Sequence, residues 1–209
     1  MSSFAVLIPV KSSDVKSRLA SVLSLAERRE LESVLLAGVL GTLKGAGILA
    51  KAHVVTSDPD TLRLAARLGA QTIEEASDRG VNAAVEAGVV ALGSPSTVMV
   101  LPSDLPFLRP SDVKHLMRLK GLAEVVIAPS ASFNGTNALV FPPKAGLTLS
   151  YDRDSFWNHL SASGHEGLSV CVSSGHGLTF DLDSPEDLRT LARSGSSGPA
   201  AVFARRAIR

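Results

Sequence analysis

The stretch FAVLIPVKSSDVKSRL, at residues 4–19, provides the main evidence in the sequence for the type of fold. Its first five residues form an unbroken apolar run, which is typical of a strand buried on both faces of a parallel sheet. Pro9 ends the run, because proline has no amide hydrogen to give to a neighbouring strand. The loop that follows carries Lys11, Lys16 and Arg18 among serines. A cationic loop at this end of a strand either binds an anionic ligand or lies as a solvated surface loop.

Apolar runs alternate with helix-like segments along most of the chain. Strand-like runs lie at 52–56, 97–101 and 125–129, and amphipathic segments separate them. This alternation predicts an α/β fold with a doubly wound, mostly parallel sheet. After residue 130 the pattern changes to an Asn134-Gly135 turn followed by a strand-like run at 138–141. We interpret this part as an antiparallel excursion on one edge of the sheet.

The last residues differ in composition from the rest of the chain. Residues 1–193 are predicted to form a single domain, and residues 194–209 a Ser/Gly-rich linker followed by a basic tail. The tail contains apolar Val202, Phe203 and Ile208. It is therefore expected either to be disordered or to dock on a partner subunit, which makes a homodimer possible.

The bulk composition excludes several classes of protein. The chain has 209 residues and a formal net charge of +1, which argues against a general electrostatic binder of nucleic acid or anionic membrane. No stretch approaches the roughly 20 apolar residues of a membrane span. Cys171 is the single cysteine, so no disulfide within the chain is possible. A reducing, cytoplasmic location is expected.

Three aspartates follow strand-like runs. Asp104 comes just after residues 97–101, and Asp181 and Asp183 come after a strand-like run at 178–180. Side chains two residues apart in an extended segment point to the same side, and neighbouring carboxylates repel unless a hard cation such as Mg²⁺ screens them. Asp181 and Asp183 could instead be acids that favour the N-terminus of the next helix.

Other polar residues allow two interpretations each. Asn82 could read a nucleobase edge or contact local backbone. Thr136, after Asn134-Gly135, could bind an anion or belong to a hairpin turn. Ser155 could contact a phosphate at a helix N-terminus or simply cap the helix. The sequence has no G-x-G-x-x-G after the first strand, no P-loop and no G-x-S-x-G. Their absence weighs against a dinucleotide oxidoreductase, a P-loop NTPase and an α/β-hydrolase.

Five motifs in order resemble the 2-phospho-L-lactate guanylyltransferase family, which is similar to the molybdenum-cofactor guanylyltransferases. They are IPVKSSDVKSRL at 8–19, GVNAAV at 80–85, LPSDLPFL at 101–108, GTNALV at 135–140 and DLDSPEDL at 181–188. The resemblance runs from about residue 4 to 191. It implies a Rossmann-like three-layer sandwich of the nucleotide-diphospho-sugar transferase type. It also implies transfer of GMP from GTP to 2-phospho-L-lactate, with release of pyrophosphate, in biosynthesis of the deazaflavin coenzyme F-420.

The resemblance also implies roles for particular residues. Lys11, Lys16, Arg18 and Asp104 would be catalytic. The implied nucleotide contacts are Pro9, Val10, Lys11, Lys16, Arg18, Asn82 and Ser103. The implied contacts to the acid are Thr136, Asn137 and Ser155, and the implied Mg²⁺ ligands are Asp104, Asp181 and Asp183.

One departure from the family pattern affects the acid side of the site. Many relatives have a glycine-rich turn before the serine that matches Ser155, whereas this chain has Asp152, Arg153 and Asp154. Arg153 could face the substrate carboxylate instead. The alternatives for function are a different acceptor such as phosphoenolpyruvate, a different nucleotide, or a non-catalytic nucleotide-binding regulator on the same fold.

Overall fold

A computed structural model of the chain describes residues 4–13 and 15–208. Within these residues, seven strands form one sheet in the order β3-β2-β1-β4-β6-β5-β7. The strands are β1 (Phe4–Pro9), β2 (Ala52–Thr56), β3 (Gln71–Glu74), β4 (Thr97–Val100), β5 (Val125–Pro129), β6 (Thr136–Phe141) and β7 (Val170–Val172).

The sheet is mostly parallel, as the sequence predicts. β1 pairs in parallel with β2 and β4, and β5 pairs in parallel with β7. β6 runs antiparallel to both of its neighbours, β4 and β5. The prediction that this antiparallel segment lies on an edge of the sheet is wrong. β6 lies in the interior with a strand on each side, and all six of its residues are buried.

Eight α-helices connect and cover the strands of the described residues. They are α1 (Leu25–Ala46), α2 (Pro59–Arg67), α3 (Val81–Ala91), α4 (Pro110–Lys120), α5 (Ser155–His165), α6 (His176–Thr179), α7 (Pro185–Arg193) and α8 (Pro199–Ala207). α1 begins with a capping box, in which the Ser24 hydroxyl accepts from the Glu27 amide and the Glu27 carboxylate accepts from the Ser24 amide. Gly47, at φ 81°, ends the same helix in the left-handed conformation that glycine adopts most readily.

The helices form two layers, one on each face of the sheet. α1, α2 and α4 pack on one face, where Ile8, Leu40 and Leu116 belong to one buried cluster. α3 and α5 pack on the other face, where Leu7 and Phe156 belong to a second cluster. The fold is therefore a three-layer αβα sandwich, which places the carboxyl ends of β1 and β4 at one edge between the layers.

The end of the chain differs from the predicted linker and loose tail. Residues 199–207 form α8, which packs against α1 and α7 of the same chain. Phe203 is 4% exposed, in a cluster with Leu31 and Leu188. The buried face of α8 consists of Phe203 and the alanines at 200, 201 and 204, whereas Val202 and Ile208 are exposed. Three of these four buried residues are alanines, so the sequence gives little sign of a packed face. Among residues 4–13 and 15–208, no helix combines the length and apolarity needed to cross a bilayer.

Candidate active site

A cleft of about 720 Å³ opens at the edge of the sheet where β1 and β4 end. β6 begins at this same edge, because it runs antiparallel to β4. The cleft therefore collects residues that are far apart in the chain. Those already predicted as site residues that line it are Pro9, Lys11, Lys16, Arg18, Ser103, Asp104, Thr136, Asn137, Ser155, Asp181 and Asp183.

The loop after β1 is held in place by one side chain from the loop before α3 and one from α1. The Asp78 carboxylate accepts hydrogen bonds from the Ser12 and Ser13 amides at 3.0 and 3.1 Å. Burial raises the pKa of Asp78, but these hydrogen bonds outweigh burial and hold it below its ordinary value. On the other side, the Arg28 guanidinium donates to the Val15 carbonyl oxygen at 2.7 Å. The loop is thus fixed to the segment before α3 and to α1.

Lys16 lies at the centre of the cleft. Its ammonium donates to Asp104 at 2.6 Å and to Asp183 at 2.9 Å, and its side chain is 8% exposed. Burial lowers the pKa of Lys16, but the two carboxylates outweigh burial and hold it above its ordinary value. Burial likewise raises the pKa of Asp183, while Lys16 and then Arg18 bring it below its ordinary value. Lys16 and Asp183 are therefore both charged at neutral pH.

The backbone brings the two acidic segments together. The Leu182 amide donates to the Asp104 carbonyl oxygen at 3.0 Å, which places Asp183 beside the loop after β4. The predicted strand before Asp181 is wrong, because residues 176–179 form α6 instead. The glycine of this helix, Gly177, packs so closely on Asp112 and on the Phe107 carbonyl that a side chain would not fit there.

The predicted grouping of three metal-binding aspartates is not formed as such. In the part of the chain that the structure describes, no three His, Cys, Asp or Glu side chains are grouped as they would be to hold a metal ion. The ammonium of Lys16 lies between Asp104 and Asp183, and the Asn137 amide donates to Asp181 at 3.2 Å. Burial, and then the charge of Asp104, raise the pKa of Asp181 above its ordinary value. This side of the cleft therefore holds more negative charge than Lys16 balances.

The opposite wall of the cleft is built by β6 and α5. Thr136 is the first residue of β6, and Ser155 is the first residue of α5 and 2% exposed. The Thr136 hydroxyl lies 3.0 Å from Nδ1 of His159, one turn along α5. Nε2 of His159 accepts from the Ser150 amide at 3.0 Å. Burial lowers the pKa of His159 to about 4, so the imidazole is neutral at neutral pH.

Two predicted nucleotide contacts do not line the cleft. The Val10 side chain is buried, and its amide donates to the Val55 carbonyl oxygen at 2.9 Å. Asn82 accepts a hydrogen bond from the Tyr151 amide at 2.8 Å through its side-chain oxygen. Asn82 therefore supports the segment before α5 rather than presenting that oxygen to a ligand.

Several residues of the site carried no clear signal in the sequence. Glu32 of α1 lines the cleft, and burial raises its pKa to about 7. Tyr151 also lines the cleft, and its hydroxyl is buried without a hydrogen-bond partner among the described residues. His159 did carry a signal, because it lies four residues after Ser155 and hence on the same face of a helix.

Comparison with known proteins gives this arrangement a family. The family model described as "Guanylyl transferase CofC like" matches residues 4–207. The chain belongs to the CofC-like guanylyltransferase family. The match includes α8, for which the sequence motifs gave no counterpart. Members of this family are nucleotidyltransferase enzymes, so the chain is a guanylyltransferase.

Relatives of this CofC-like chain are named for three different acceptors. It is 40% identical over 200 residues to a phosphoenolpyruvate guanylyltransferase of Rubrobacter xylanophilus, covering 93% of this chain and 96% of the relative. It is 33% identical over 202 residues to a 2-phospho-L-lactate guanylyltransferase of Methanothermobacter thermautotrophicus, covering 96% and 89%. It is 36% identical over 183 residues to a 3-phospho-D-glycerate guanylyltransferase of Phenylobacterium zucineum, covering 85% and 84%. The family of the chain is therefore established, but its relatives are named for different acceptor acids.

A solved structure supports the predicted fold type of the CofC-like chain. A protein of Desulfovibrio desulfuricans, described as a candidate nucleotide-diphospho-sugar transferase, matches with a TM-score of 0.75 and 21% sequence identity. The match covers 99% of this chain and 95% of that one. At this identity the likeness concerns the fold alone, and it confirms the nucleotide-diphospho-sugar transferase type of sandwich.

Proposed function

We propose that this guanylyltransferase transfers GMP from GTP to a phosphorylated three-carbon acid and releases pyrophosphate. The observation that carries the proposal is the position of Lys16, which lies between Asp104 and Asp183 in a cleft whose other wall holds Thr136 and Ser155. Cations and carboxylates on one side suit a triphosphate with its metal. Hydroxyl groups on the other side suit a small polar acceptor.

The nucleotide half of the site would neutralise the triphosphate. Lys11, Lys16 and Arg18 all line the cleft, and the Arg18 side chain is 74% exposed. A triphosphate that enters would compete with Asp104 and Asp183 for the Lys16 ammonium. Positive charge close to the departing pyrophosphate lowers the barrier, because negative charge accumulates there as the bond breaks.

The reaction needs little covalent chemistry from the protein. An oxygen of the acceptor phosphate would attack the α-phosphorus of GTP, the bond from that phosphorus to the bridging oxygen of the β-phosphate would break, and pyrophosphate would leave with the electron pair. The acceptor phosphate is already ionised near neutral pH, so no general base is required. Orientation of two anions and neutralisation of their charge are the tasks of the residues in the cleft.

The residues of the acidic wall suit a divalent cation. One oxygen of Asp104 is buried and has no hydrogen-bond partner among the described residues, and Asp181 is raised in pKa by burial and by neighbouring carboxylates. Carboxylate oxygens are the ligands that Mg²⁺ prefers. Asp104, Asp181 and Asp183 are not grouped as a metal site while Lys16 lies between two of them, and they would hold the cation once a triphosphate engages that ammonium. When bound, the cation would neutralise phosphate charge and fix phosphate orientation.

The acceptor is the finer part of the proposal. We propose an acid of the class of 2-phospho-L-lactate and phosphoenolpyruvate, both of which carry the phosphate on the carbon next to the carboxylate. Relatives named for each of these acids support this class. The product would enter the biosynthesis of the deazaflavin coenzyme F-420.

A matrix of substrates tests the proposal directly. Pyrophosphate release is measured with GTP, ATP or CTP against 2-phospho-L-lactate, phosphoenolpyruvate and 3-phospho-D-glycerate. We expect release with GTP and with at least one of the first two acids, and far slower release with ATP or CTP. Activity with 3-phospho-D-glycerate alone would overturn the acceptor class. No release with any pair, from a folded protein that binds GTP, would favour a regulator instead.

Replacement of Asp104 tests the role of the acidic wall. We expect Asp104→Ala and Asp104→Asn to lower turnover by about 10²–10³, the usual cost of one well-placed stabilising group at a reacting phosphate. Asp60→Asn is the matched control, because Asp60 is an exposed residue that pairs with Arg63 on α2. Circular dichroism establishes that each variant is folded. Near-normal turnover by folded Asp104→Ala would contradict the assignment.

A further inference from the structure

The hydrogen bonds around His159 determine which of its nitrogens carries the proton. The Ser150 amide can only donate, so Nε2 of His159, 3.0 Å away, must be an unprotonated acceptor. His159 is fully buried, and burial keeps it neutral by lowering its pKa to about 4. A neutral imidazole carries one proton, which must therefore lie on Nδ1.

This tautomer fixes the direction of the Thr136 hydroxyl. Nδ1 lies 3.0 Å from the Thr136 oxygen and donates to it, so the oxygen accepts. The hydroxyl proton of Thr136 must then point elsewhere, and the oxygen has no other hydrogen-bond partner in residues 4–13 and 15–208. Because Thr136 lines the cleft, the proton is available to a ligand there.

We propose that His159 is a positioning residue that holds the Thr136 hydroxyl as a hydrogen-bond donor to the anionic acceptor. The inference rests on the proposed function, because it assigns the acceptor to the wall formed by β6 and α5. An anion can only accept hydrogen bonds. A hydroxyl whose oxygen already accepts from the histidine has only its proton left to offer, and it therefore favours an anion over a hydrogen-bond donor. A hydroxyl that donated to the histidine would present lone pairs to the anion and repel it.

The same histidine also shapes the wall on which the acceptor would rest. The Ser150 and Tyr151 amides are held by His159 and Asn82 respectively. The Tyr151 ring packs edge-on against His159, with 4.8 Å between ring centroids. The Tyr151 hydroxyl is buried in this wall, where it has no partner among the described residues.

The first test identifies the tautomer of His159 and does not depend on enzyme activity. A long-range ¹⁵N–¹H correlation spectrum of the wild-type chain at pH 7 reports which imidazole nitrogen is protonated. The His159 signals are identified by their loss in His159→Gln. We expect a neutral ring protonated on Nδ1. A ring protonated on Nε2, or on both nitrogens, would overturn the inference.

The second test reads the consequence for the acceptor. We expect Thr136→Val to raise KM for the acid by about tenfold or more while Thr136→Ser, which retains the hydroxyl, stays near wild type. We expect His159→Gln to raise the same KM while KM for GTP changes by less than about twofold. Adding His159→Gln to Thr136→Val should then raise KM for the acid little further, because the two substitutions remove the same interaction.

The outcomes separate the inference from the proposed function. Independent, multiplicative effects of the two substitutions, or an equal rise in KM for GTP, would overturn the positioning role while wild-type transfer still supports the function. If the wild-type chain transfers GMP to none of the acids, the proposed function fails and the donor role fails with it. Should His159→Gln not fold, the His159 signals are those that remain when the other four of the five histidines are replaced. The wild-type spectrum and the Thr136 pair then still decide the question.

Discussion

Lys16 connects three parts of the site that are far apart in sequence. It lies 88 residues from Asp104 and 167 residues from Asp183, and it contacts both. Its backbone has φ 46°, which is uncommon for a residue with a side chain. The Lys16 ammonium thus supplies the positive charge between two carboxylates that would otherwise repel each other.

Removal of that ammonium should make the chain depend on added cations. We expect Lys16→Gln to lower the free energy of unfolding by about 3–5 kcal/mol, because two partly buried carboxylates lose their partner. Millimolar Mg²⁺ should recover much of the loss in the variant and should stabilise the wild type less. Thermal unfolding with and without Mg²⁺ measures this difference.

Arg18→Gln is the control for this prediction. Arg18 also pairs with Asp183, but at 3.5 Å and from a side chain that is 74% exposed. Exposed ion pairs contribute about 0–1 kcal/mol to stability, so Arg18→Gln should lose little free energy of unfolding, and Mg²⁺ should stabilise it little. Equal stabilisation of all three proteins by Mg²⁺ would contradict the view that Lys16 stands in for a cation.

At the scale of single residues, the sequence indicated which residues meet but not how they pair. Lys16, Asp104 and Asp183 were predicted as site members, and all line the cleft. Lys16 contacts both Asp104 and Asp183 only because of the order of strands in the sheet, and no local sequence pattern encodes that order. His159 was missed as a site residue because a buried histidine without metal-ligand spacing is usually structural.

Among the elements, α3 approaches the sheet more closely than side chains normally permit. A Cβ atom added to Gly88 would lie 2.8 Å from both terminal methyl groups of Leu7, which is fully buried in β1. We expect Gly88→Ala to destabilise the protein by about 1–3 kcal/mol through overpacking. The measurement is the midpoint of urea unfolding.

Gly41→Ala in α1 is the matched control for Gly88→Ala. Nothing lies within 4 Å of a Cβ atom at Gly41, and the residue is helical. Alanine there should stabilise the protein by about 0.5–1 kcal/mol, because glycine loses more conformational freedom in a helix. If the two variants changed stability alike, the close approach of α3 to β1 would not limit this position.

The helix α8 should contribute to stability as part of the same domain. Phe203 packs in a cluster that also contains Leu19 and Leu182, the neighbours of Arg18 and of Asp181 and Asp183. We expect Phe203→Ala to lower the free energy of unfolding by about 3–5 kcal/mol. Val202→Ala, at a residue 52% exposed on the same helix, should change it by less than about 0.5 kcal/mol. A loose tail would make both substitutions equally silent in chemical unfolding.

For the molecule as a whole, the sequence predicted the layers better than the strand order. Alternation of apolar runs with helices predicted a doubly wound sheet, and the Asn134-Gly135 turn predicted the antiparallel pairing of β5 and β6. The interior position of β6 was not predicted. Fully buried strands such as β5 and β6 are apolar along both faces, so their sequences do not distinguish an edge from the centre of a sheet.

The pH dependence of stability should depend on two buried groups that act in opposite directions. The pKa of His159 is lowered from 6.5 to about 4, so the unfolded chain binds more protons between these values and stability falls as pH falls. The pKa of Glu32 is raised from 4.5 to about 7, so the native chain binds more protons and stability rises as pH falls. Between pH 6.5 and 4.5 the two effects largely cancel.

Glu32→Gln should therefore reveal the acid sensitivity that His159 causes. At pH 8 the variant should be more stable than the wild type by roughly 1–2 kcal/mol, because it no longer buries a charged carboxylate, and this difference should vanish near pH 4.5. Urea unfolding at intervals from pH 8 to 4.5 measures it. Glu86→Gln, an exposed position on α3, is the control and should follow the wild type throughout. A Glu32→Gln curve parallel to the wild-type curve would show that burial of Glu32 does not perturb its ionisation, because only a shifted carboxyl makes the two curves converge.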